Sequence, residues 1–474
     1  MRSLLSGASR WYWGLEERWR DGITFCAMGL CLVGYYFLPW FWLSALVALL
    51  FIALAWLRLD LGLLCIVFTT PFYRFPKSFD PGGLGLGALL HRTEPLAFSL
   101  AEFAVLACLV AWLARQVHRQ RRQALTLFVR QFPRGWPWTG LLNPPLVFLL
   151  VATLSLLASE YLRFSLREYR TIIVEPLIFY FMLIDTIHER RDIWRFLNAF
   201  VLLVAIVALV GLYHYFFVGV VEATGGVRRV LAIFHSPNAL ALFLGKGLPV
   251  AITLALFAGQ KRWFYTAASL ASLACLYLTY SRGAWLGVGC ALLFIVVLRG
   301  SRRLLASVGT AVAVAVGLLA FLPRGRLLSE ATIEQRFHLW RAAVDMIRDH
   351  PLLGVGLDNF LYQYPKYMLE EAWAEPNISH PHNILLDFWT RLGILGVGSM
   401  LWLQAAFWRM GHRIYRGWRG EEAQVLALAL MASMIDFLAH GLLDNSFFLI
   451  DLAFIFWLTF GLMKATARLC DATS

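Results

Sequence analysis

The sequence predicts an all-α polytopic membrane protein with about 12–14 transmembrane helices and one large outer helical loop. Three observations predict it. Apolar residues make up 60% of the chain against 15% charged, and the mean hydropathy is +0.66, outside the range of soluble globular chains. The apolar residues recur in runs of bilayer length along the whole chain. The polar interruptions are strongly basic on alternate connections, as the positive-inside rule requires.

A helix satisfies its backbone hydrogen bonds within one segment, so each crossing needs about 20 mostly apolar residues. Runs of this kind place spans at 22–38, 40–57, 61–72, 95–114, 141–158, 171–187, 196–218, 231–258, 264–280, 283–298, 304–322, 384–408, 423–441 and 447–463. The N-terminal MRSLLSGASRWYWGLEERWRD reads as a basic, Trp-rich collar on the membrane surface, not as a cleavable signal peptide. The expected organisation is a cytoplasmic interfacial segment at 1–21, a transmembrane bundle at 22–322 and a periplasmic loop with an amphipathic helix at 323–383. C-terminal transmembrane helices at 384–464 and a cytoplasmic tail at 465–474 complete it.

The seven cysteines fall almost all inside expected spans without paired spacing in a loop, which argues against a disulfide framework or a zinc site. A net charge of +13 suggests nucleic acid at first sight, but topology accounts for it better. RQVHRQRRQ from Arg115, ERRDIWR, QKRW, RGSRR and RMGHRIYRGWRG all fall on one side with both termini, which makes that side the cytoplasm.

The opposite face should then be poor in arginine, and it is not. Arg163, Arg167 and Arg170 flank the sixth span, Arg228 and Arg229 precede the eighth, and Arg282 sits in the turn YSRGAW. Arg324, Arg326, Arg336, Arg341 and Arg348 follow in the outer loop. Each has a structural alternative, an ion pair with an outer acid such as Glu160, Glu168, Glu330, Glu334 or Asp345. Guanidiniums from four separate connections nevertheless point to an anion at the membrane surface, because ionisable groups near the membrane usually mark a site.

Within the outer loop, ATIEQRFHLWRAAVDMIRDH has helical spacing, with Phe337, Trp340, Val344 and Ile347 on one expected face and Arg336, Arg341, Asp345 and Arg348 around the other. Pro351 and GVG stop it. The loop ends in SHPHN, which places His380 and His382 at the lip of the next span. Two histidines there read as interface residues with Asn383 as a cap, or as a general base with a pKa of roughly 6.5. A metal site is a third reading, with Asp387 as the nearest further ligand. FHSPNALALFLGKG, from Phe234, puts Pro237 and Asn238 inside a span and so predicts a broken helix, with or without a functional role. In HGLLDNSFFLID, His440, Asp444 and Asn445 fit a hairpin turn. No phosphate loop, serine elbow or Asp-x-Asp motif is present.

Three blocks resemble the O-antigen ligase and polymerase superfamily of bacterial membrane glycosyltransferases: SRGAWLG from Ser281, RFHLWRAAVDMIRDHPLLGVGLDNF, and HNILLDFWTRLGILG from His382. The last fits the ligase-branch pattern: His382, Asn383, nine residues, Gly393, two residues, Gly396. The likeness spans roughly residues 225–400. It implies a GT-C-like helical bundle in the bacterial inner membrane, with its active site on the periplasmic face and a reaction that uses neither metal nor cofactor. The implied partners are an undecaprenyl-diphosphate-linked glycan donor, a lipid A core or comparable glycan or lipid acceptor, and membrane lipids, without nucleic acid.

By position, the resemblance assigns catalysis to His382, Arg282 and Arg336, and makes Arg229 the arginine before the Pro-Asn span. Arg228, Arg170, Arg341, His338, His380 and Asn383 join Arg229 as expected substrate contacts. Arginine forks would hold the diphosphate while His382 takes the proton of the attacking hydroxyl, with inversion at the anomeric carbon. The span count exceeds the family's usual dozen or so, a departure that bears on the first three spans. Rival readings are a polysaccharide polymerase, a protein O-oligosaccharyltransferase and, from another class, a transporter or flippase of anionic lipids.

Overall fold

The structure, a computed structural model, describes residues 16–79, 96–120, 143–224, 227–299, 310, 330–369, 377–417 and 420–472. The chain divides into two compact units, one comprising Met1–Gln131 with Ile178–His188 and the other Phe132–Leu177 with Glu189–Ser474. In the first, α1 (Glu17–Phe37), α2 (Phe41–Leu57) and α3 (Leu59–Thr69) pack with α4 (Leu100–Gln120). Tyr35 stacks on Phe103 at 3.9 Å. A Cβ on Gly62 would stand 2.8 Å from the Cys108 sulfur, so α3 and α4 approach as small-residue helix faces allow. A short strand pair, β1 (Lys77–Phe79) and β2 (Leu96–Phe98), brings Lys77 Nζ to the Leu38 carbonyl and Ser44 Oγ, both at 2.7 Å. The ammonium there caps the end of α1.

The second unit holds α5 (Pro144–Ser155), α6 (Leu162–Glu168), the start of α7 (Glu175–Thr186), whose larger part belongs to the first unit, α8 (Arg190–Tyr213), α9 (Pro237–Phe257), α10 (Arg262–Leu278) and α11 (Arg282–Arg299). After these come α12 (Glu330–Asp349), α13 (Phe360–Tyr367), α14 (Ile384–Gly417), α15 (Glu421–Gly441) and α16 (Ile450–Asp471). Among the described residues, seven helices are long and apolar enough to cross a membrane, and the three apolar stretches Phe41–Leu57, Leu59–Phe72 and Pro144–Ala158 are shorter. Outward apolar side chains in mid-helix, such as Leu270 at 62% and Leu293 at 57% exposure, suit a hydrocarbon surround. The protein is a multi-pass, all-α membrane protein.

Two expectations change in detail. The run 231–258 becomes a helix only at Pro237, because Val221–Thr224 (β3) and Val227–Val230 (β4) form a hairpin just before it. Pro237 therefore opens the helix behind the Ser236 cap, whose Oγ accepts from Ala239 N at 3.1 Å, and does not break it. The run 171–187 starts inside a π-helical turn, Tyr169–Val174, that joins α6 to α7. The run 304–322 lies outside the described residues, as do Arg324 and Arg326 and most of the N-terminal collar.

The helix α12 packs largely by a side other than its expected apolar face, the face that an amphipathic helix on a membrane surface leaves outward. Its buried side is Leu339, Ala342, Ala343 and Met346, packed on Val355, Phe360 and Tyr364, whereas Phe337 and Val344 are 60% and 37% exposed. Trp340 is half-buried, and Ile347, buried, is the member of the expected face that does turn inward. The two alanines let α13 sit close, a steric advantage that hydrophobicity alone underrates.

Where α12 ends, the chain docks into a break in α14. Gly393 has φ 68° and ψ −168°, a backbone state open to glycine almost alone. The break frees the Thr390 carbonyl, which accepts from Val355 N at 2.7 Å, while Ile394 N donates to the Pro351 carbonyl at 2.9 Å. Gly354, at φ 69°, lies so near that a Cβ would stand 2.3 Å from the Thr390 oxygen. Further along, the buried Asn359 carboxamide accepts from Tyr161 N at 2.9 Å and donates to the Leu357 carbonyl at 2.7 Å and to Ser165 Oγ at 2.5 Å. The glycines and asparagine of LLGVGLDNF thus fasten the loop to α6 and α14.

Candidate functional site

The loop fastened in this way delivers SHPHN to the start of α14. Trp340 of α12 donates its indole N–H to the Pro381 carbonyl at 3.1 Å, and Arg391 donates Nη2 to the Ser379 carbonyl at 3.1 Å. Asn383 caps α14: its Oδ1 accepts from Leu385 N and Leu386 N at 3.0 and 3.2 Å, and its Nδ2 donates to the Leu442 carbonyl at 3.1 Å. Between these fixed points His382 adopts φ 51°, a left-handed conformation uncommon outside glycine and typical of constrained sites.

The His382 ring faces the turn between α15 and α16, and its Nδ1 lies 2.9 Å from Asp444 Oδ1. Asp444 is buried, and Asn445 N donates to the same oxygen at 2.8 Å. Burial raises the Asp444 carboxyl, but the hydrogen bond and charge of His382, with His380 and His440, outweigh it and leave the group well below the usual carboxylate range. Asp444 is therefore an anion at neutral pH. A carboxylate at Nδ1 fixes the tautomer with the proton on that side and leaves Nε2 as the basic nitrogen. His380 stands edge-on to His382 with ring centroids 4.2 Å apart, and its Nδ1 accepts from His382 N at 3.3 Å. Burial, then the neighbouring charge of His382, pushes His380 down to about 3, so it is neutral at physiological pH.

The arginines divide into two groups. Arg336 and Arg282 are half-buried. They lie within electrostatic reach of each other, and Arg336 within reach of Asp444; burial, then Arg282, lowers the Arg336 guanidinium against the opposing pull of Asp444. Arg282 opens α11. Arg229 braces the same turn from β4, with Nε donating to the Thr279 carbonyl and Nη2 to Asn238 Oδ1, both at 2.8 Å.

The others are placed differently. Arg170 pairs with Glu175 at 2.8 Å. Arg228 is exposed, lies over Tyr215 at 5.4 Å and donates to the Tyr215 carbonyl at 3.2 Å. Arg341 is exposed and His338 half-buried on α12. Arg167 pairs with Asp358, and Arg348 with Asp345, each at 2.9 and 2.8 Å respectively. The ion-pair alternative thus holds for Arg167, Arg170 and Arg348, while Arg336 lies within electrostatic reach of Asp444 and of Arg282.

The ligating atoms of His380, His382 and Asp444 lie within 4.8 Å of one another, a spacing open to a metal ion. Asp387, the ligand expected from spacing, instead bonds Arg391 Nε at 2.7 Å. Charges of both signs surround the trio: Arg391 and His235 act on His380 and Arg336 on Asp444, while Asp387, paired with Arg391, lies within electrostatic reach of His382 and Asp444.

Sequence reasoning gave Asp444 only a turn. Asn445 does build that turn, its Oδ1 accepting from Phe448 N at 2.8 Å, but Asp444 partners His382. Two further clusters escaped notice. Arg391, buried, bridges Asp387 and Glu168, with Nη1 at 2.6 and 2.5 Å from the two Glu168 oxygens. Lys246 and Asp436, buried between α9 and α15, pair at 2.8 Å. The i, i+4 spacings of Asp387 with Arg391, and of Asp436, His440 and Asp444, were the available signal.

Fold and site together define a multi-pass helical membrane protein with a His–Asp pair beside guanidiniums, where a loop helix meets the ends of three spanning helices. A family model described as O-antigen ligase matches residues 267–401, the stretch that runs from α10 through SRGAWLG, α12 and the HPHN turn into α14. The match supports a function of the O-antigen ligase or polymerase type. No curated protein matches the chain.

Proposed function

We propose that this protein is an O-antigen ligase-type glycosyltransferase. It moves a glycan from undecaprenyl diphosphate to a hydroxyl of a lipid A core or similar acceptor, at the periplasmic face of the inner membrane and without a metal. The observation that carries this reading is the 2.9 Å contact of His382 Nδ1 with Asp444, with Arg336 in electrostatic reach of both Asp444 and Arg282.

Nε2 of His382 takes the proton of the acceptor hydroxyl as its oxygen attacks the anomeric carbon. The bond from that carbon to the diphosphate oxygen breaks on the opposite face, which inverts the centre and releases undecaprenyl diphosphate. Asp444 stabilises the imidazolium so formed, and Arg282 and Arg336 stabilise the charge growing on the leaving diphosphate. Base catalysis contributes roughly 10²- to 10⁴-fold, and the clamp and positioning supply the remainder. Arg229 acts by holding the turn before Arg282. The domain plan of a periplasmic catalytic loop at 323–383 between membrane bundles fits the same reading.

The test is transfer by purified protein from carrier-linked glycan to lipid A core, in chelator, compared with His382→Ala and Arg282→Ala. Loss of transfer in both variants is expected. Full activity in either removes that residue from the site, and glycan added to another carrier-linked repeat would identify a polymerase instead.

A further inference from the structure

Below the His382–Asp444 pair stands a buried imidazole that the transfer reaction leaves without a task. His440 lies on α15, four residues after Asp436 and four before Asp444, and is fully buried. Neither of its ring nitrogens has a hydrogen-bond partner among the described residues. Burying such a group unbonded costs roughly 1–3 kcal/mol, which a smaller apolar side chain would avoid; the larger phenyl ring of a phenylalanine would press on Gly283. A residue retained against that cost points to a use.

Its contacts show what it joins. A Cβ on Gly283 would stand 2.7 Å from His440 Cδ2 and 3.0 Å from Nε2, and one on Gly287 would stand 2.9 Å from His440 Cβ. The side chain therefore lies flush against the first turn of α11, the turn that carries Arg282. On its other side the His440 carbonyl accepts from Leu443 N at 3.0 Å and shapes the turn that ends in Asp444. The charged groups facing it are Asp436 on its own helix, Lys246 from α9, Asp444 from the following turn and Arg336 from α12.

We infer that His440 is a positioning residue, which ties the arginine-bearing end of α11 to the turn that carries Asp444 and so holds diphosphate clamp and base in one register. This role rests on the transferase reading for the identity of the diphosphate. A disturbed joint should loosen Arg282 as a ligand even where no sugar is transferred.

Binding of farnesyl diphosphate to the purified full-length protein reads this directly. His440→Phe and Gly283→Ala, which disturb the joint from its two sides, should each weaken the affinity about tenfold, and His440→Phe should add nothing further to Arg282→Ala, as expected of coupled neighbours. Wild-type affinity in both single variants, or losses that add in the double variant, would overturn the role. Should His440→Phe fail to fold, Gly283→Ala decides alone. Coupled binding in a protein that transfers no glycan would leave the joint standing and remove the transferase reading. Normal transfer without coupling would do the reverse, and no binding by the wild type overturns both.

Discussion

Gly393 and Leu352 meet backbone to backbone: a Cβ on the glycine would stand 2.0 Å from the Leu352 carbonyl oxygen. This contact seats the loop that carries α12 in the break of α14, so site geometry depends on a glycine remote from the reacting groups.

Gly393→Ala is accordingly expected to destabilise strongly. Backbone strain alone costs on the order of 1–3 kcal/mol, and the clash with Leu352 adds to it. Gly398, on the same helix with nothing within 4 Å of an added Cβ, is the control. There alanine should be neutral or stabilising by about 0.5–1 kcal/mol. Thermal unfolding in detergent compares them; equal melting temperatures would dismiss the docking.

Asp444→Asn should keep the fold and lose rate. The amide still fits the turn but carries no charge to stabilise an imidazolium and no demand for the Nδ1–H tautomer. A fall in kcat of roughly 10²- to 10⁴-fold, with KM little changed, is expected, comparable with His382→Ala. A rise in KM at constant kcat would make Asp444 a binding group instead.

Arg391→Met should damage stability more than chemistry. Its guanidinium compensates two buried carboxylates, Asp387 and Glu168, and removing one member of such a cluster typically costs about 3–5 kcal/mol. The cost should appear as lost expression and a lowered Tm. Methionine tolerated without penalty would mean that water already reaches the carboxylates.

The extent to which the sequence declares this architecture follows from what each element depends on. Spanning helices were legible because a bilayer demands long apolar runs, whereas His382, Arg282 and Arg336 were singled out by the resemblance of their blocks to a family. The partner Asp444 was not, since its pairing with His382 joins positions 62 apart in sequence and no local period marks it. The packed side of α12 escaped notice because Ala342 and Ala343 pack by their smallness, while the larger Phe337 belongs to the apolar face expected of an amphipathic helix lying on the outer membrane surface and stays exposed. The hairpin before Pro237 was hidden by apolar residues such as Leu231, Ile233 and Phe234, which read as the start of the following helix.

The neutral His380 makes stability depend on pH in a calculable sense. Its pKa is about 3 in the folded protein against an ordinary value of 6.5, so between these values the unfolded chain binds more protons than the folded one. Stability then rises with pH, and this contribution, complete above pH 6.5, fades as pH falls toward 3. Asp444 acts with the same sign but lower on the pH scale: its folded pKa is depressed, so its stabilisation is complete above the ordinary carboxylate value of 3.8 and is lost as pH falls below it. In the window from about pH 4.5 to 7.5, the slope therefore reports His380 and not Asp444. The Tm of the wild type should decline as pH is lowered through that window, and His380→Asn should flatten the decline. Parallel curves for the two proteins would show that His380 takes up its proton in the fold as readily as in water.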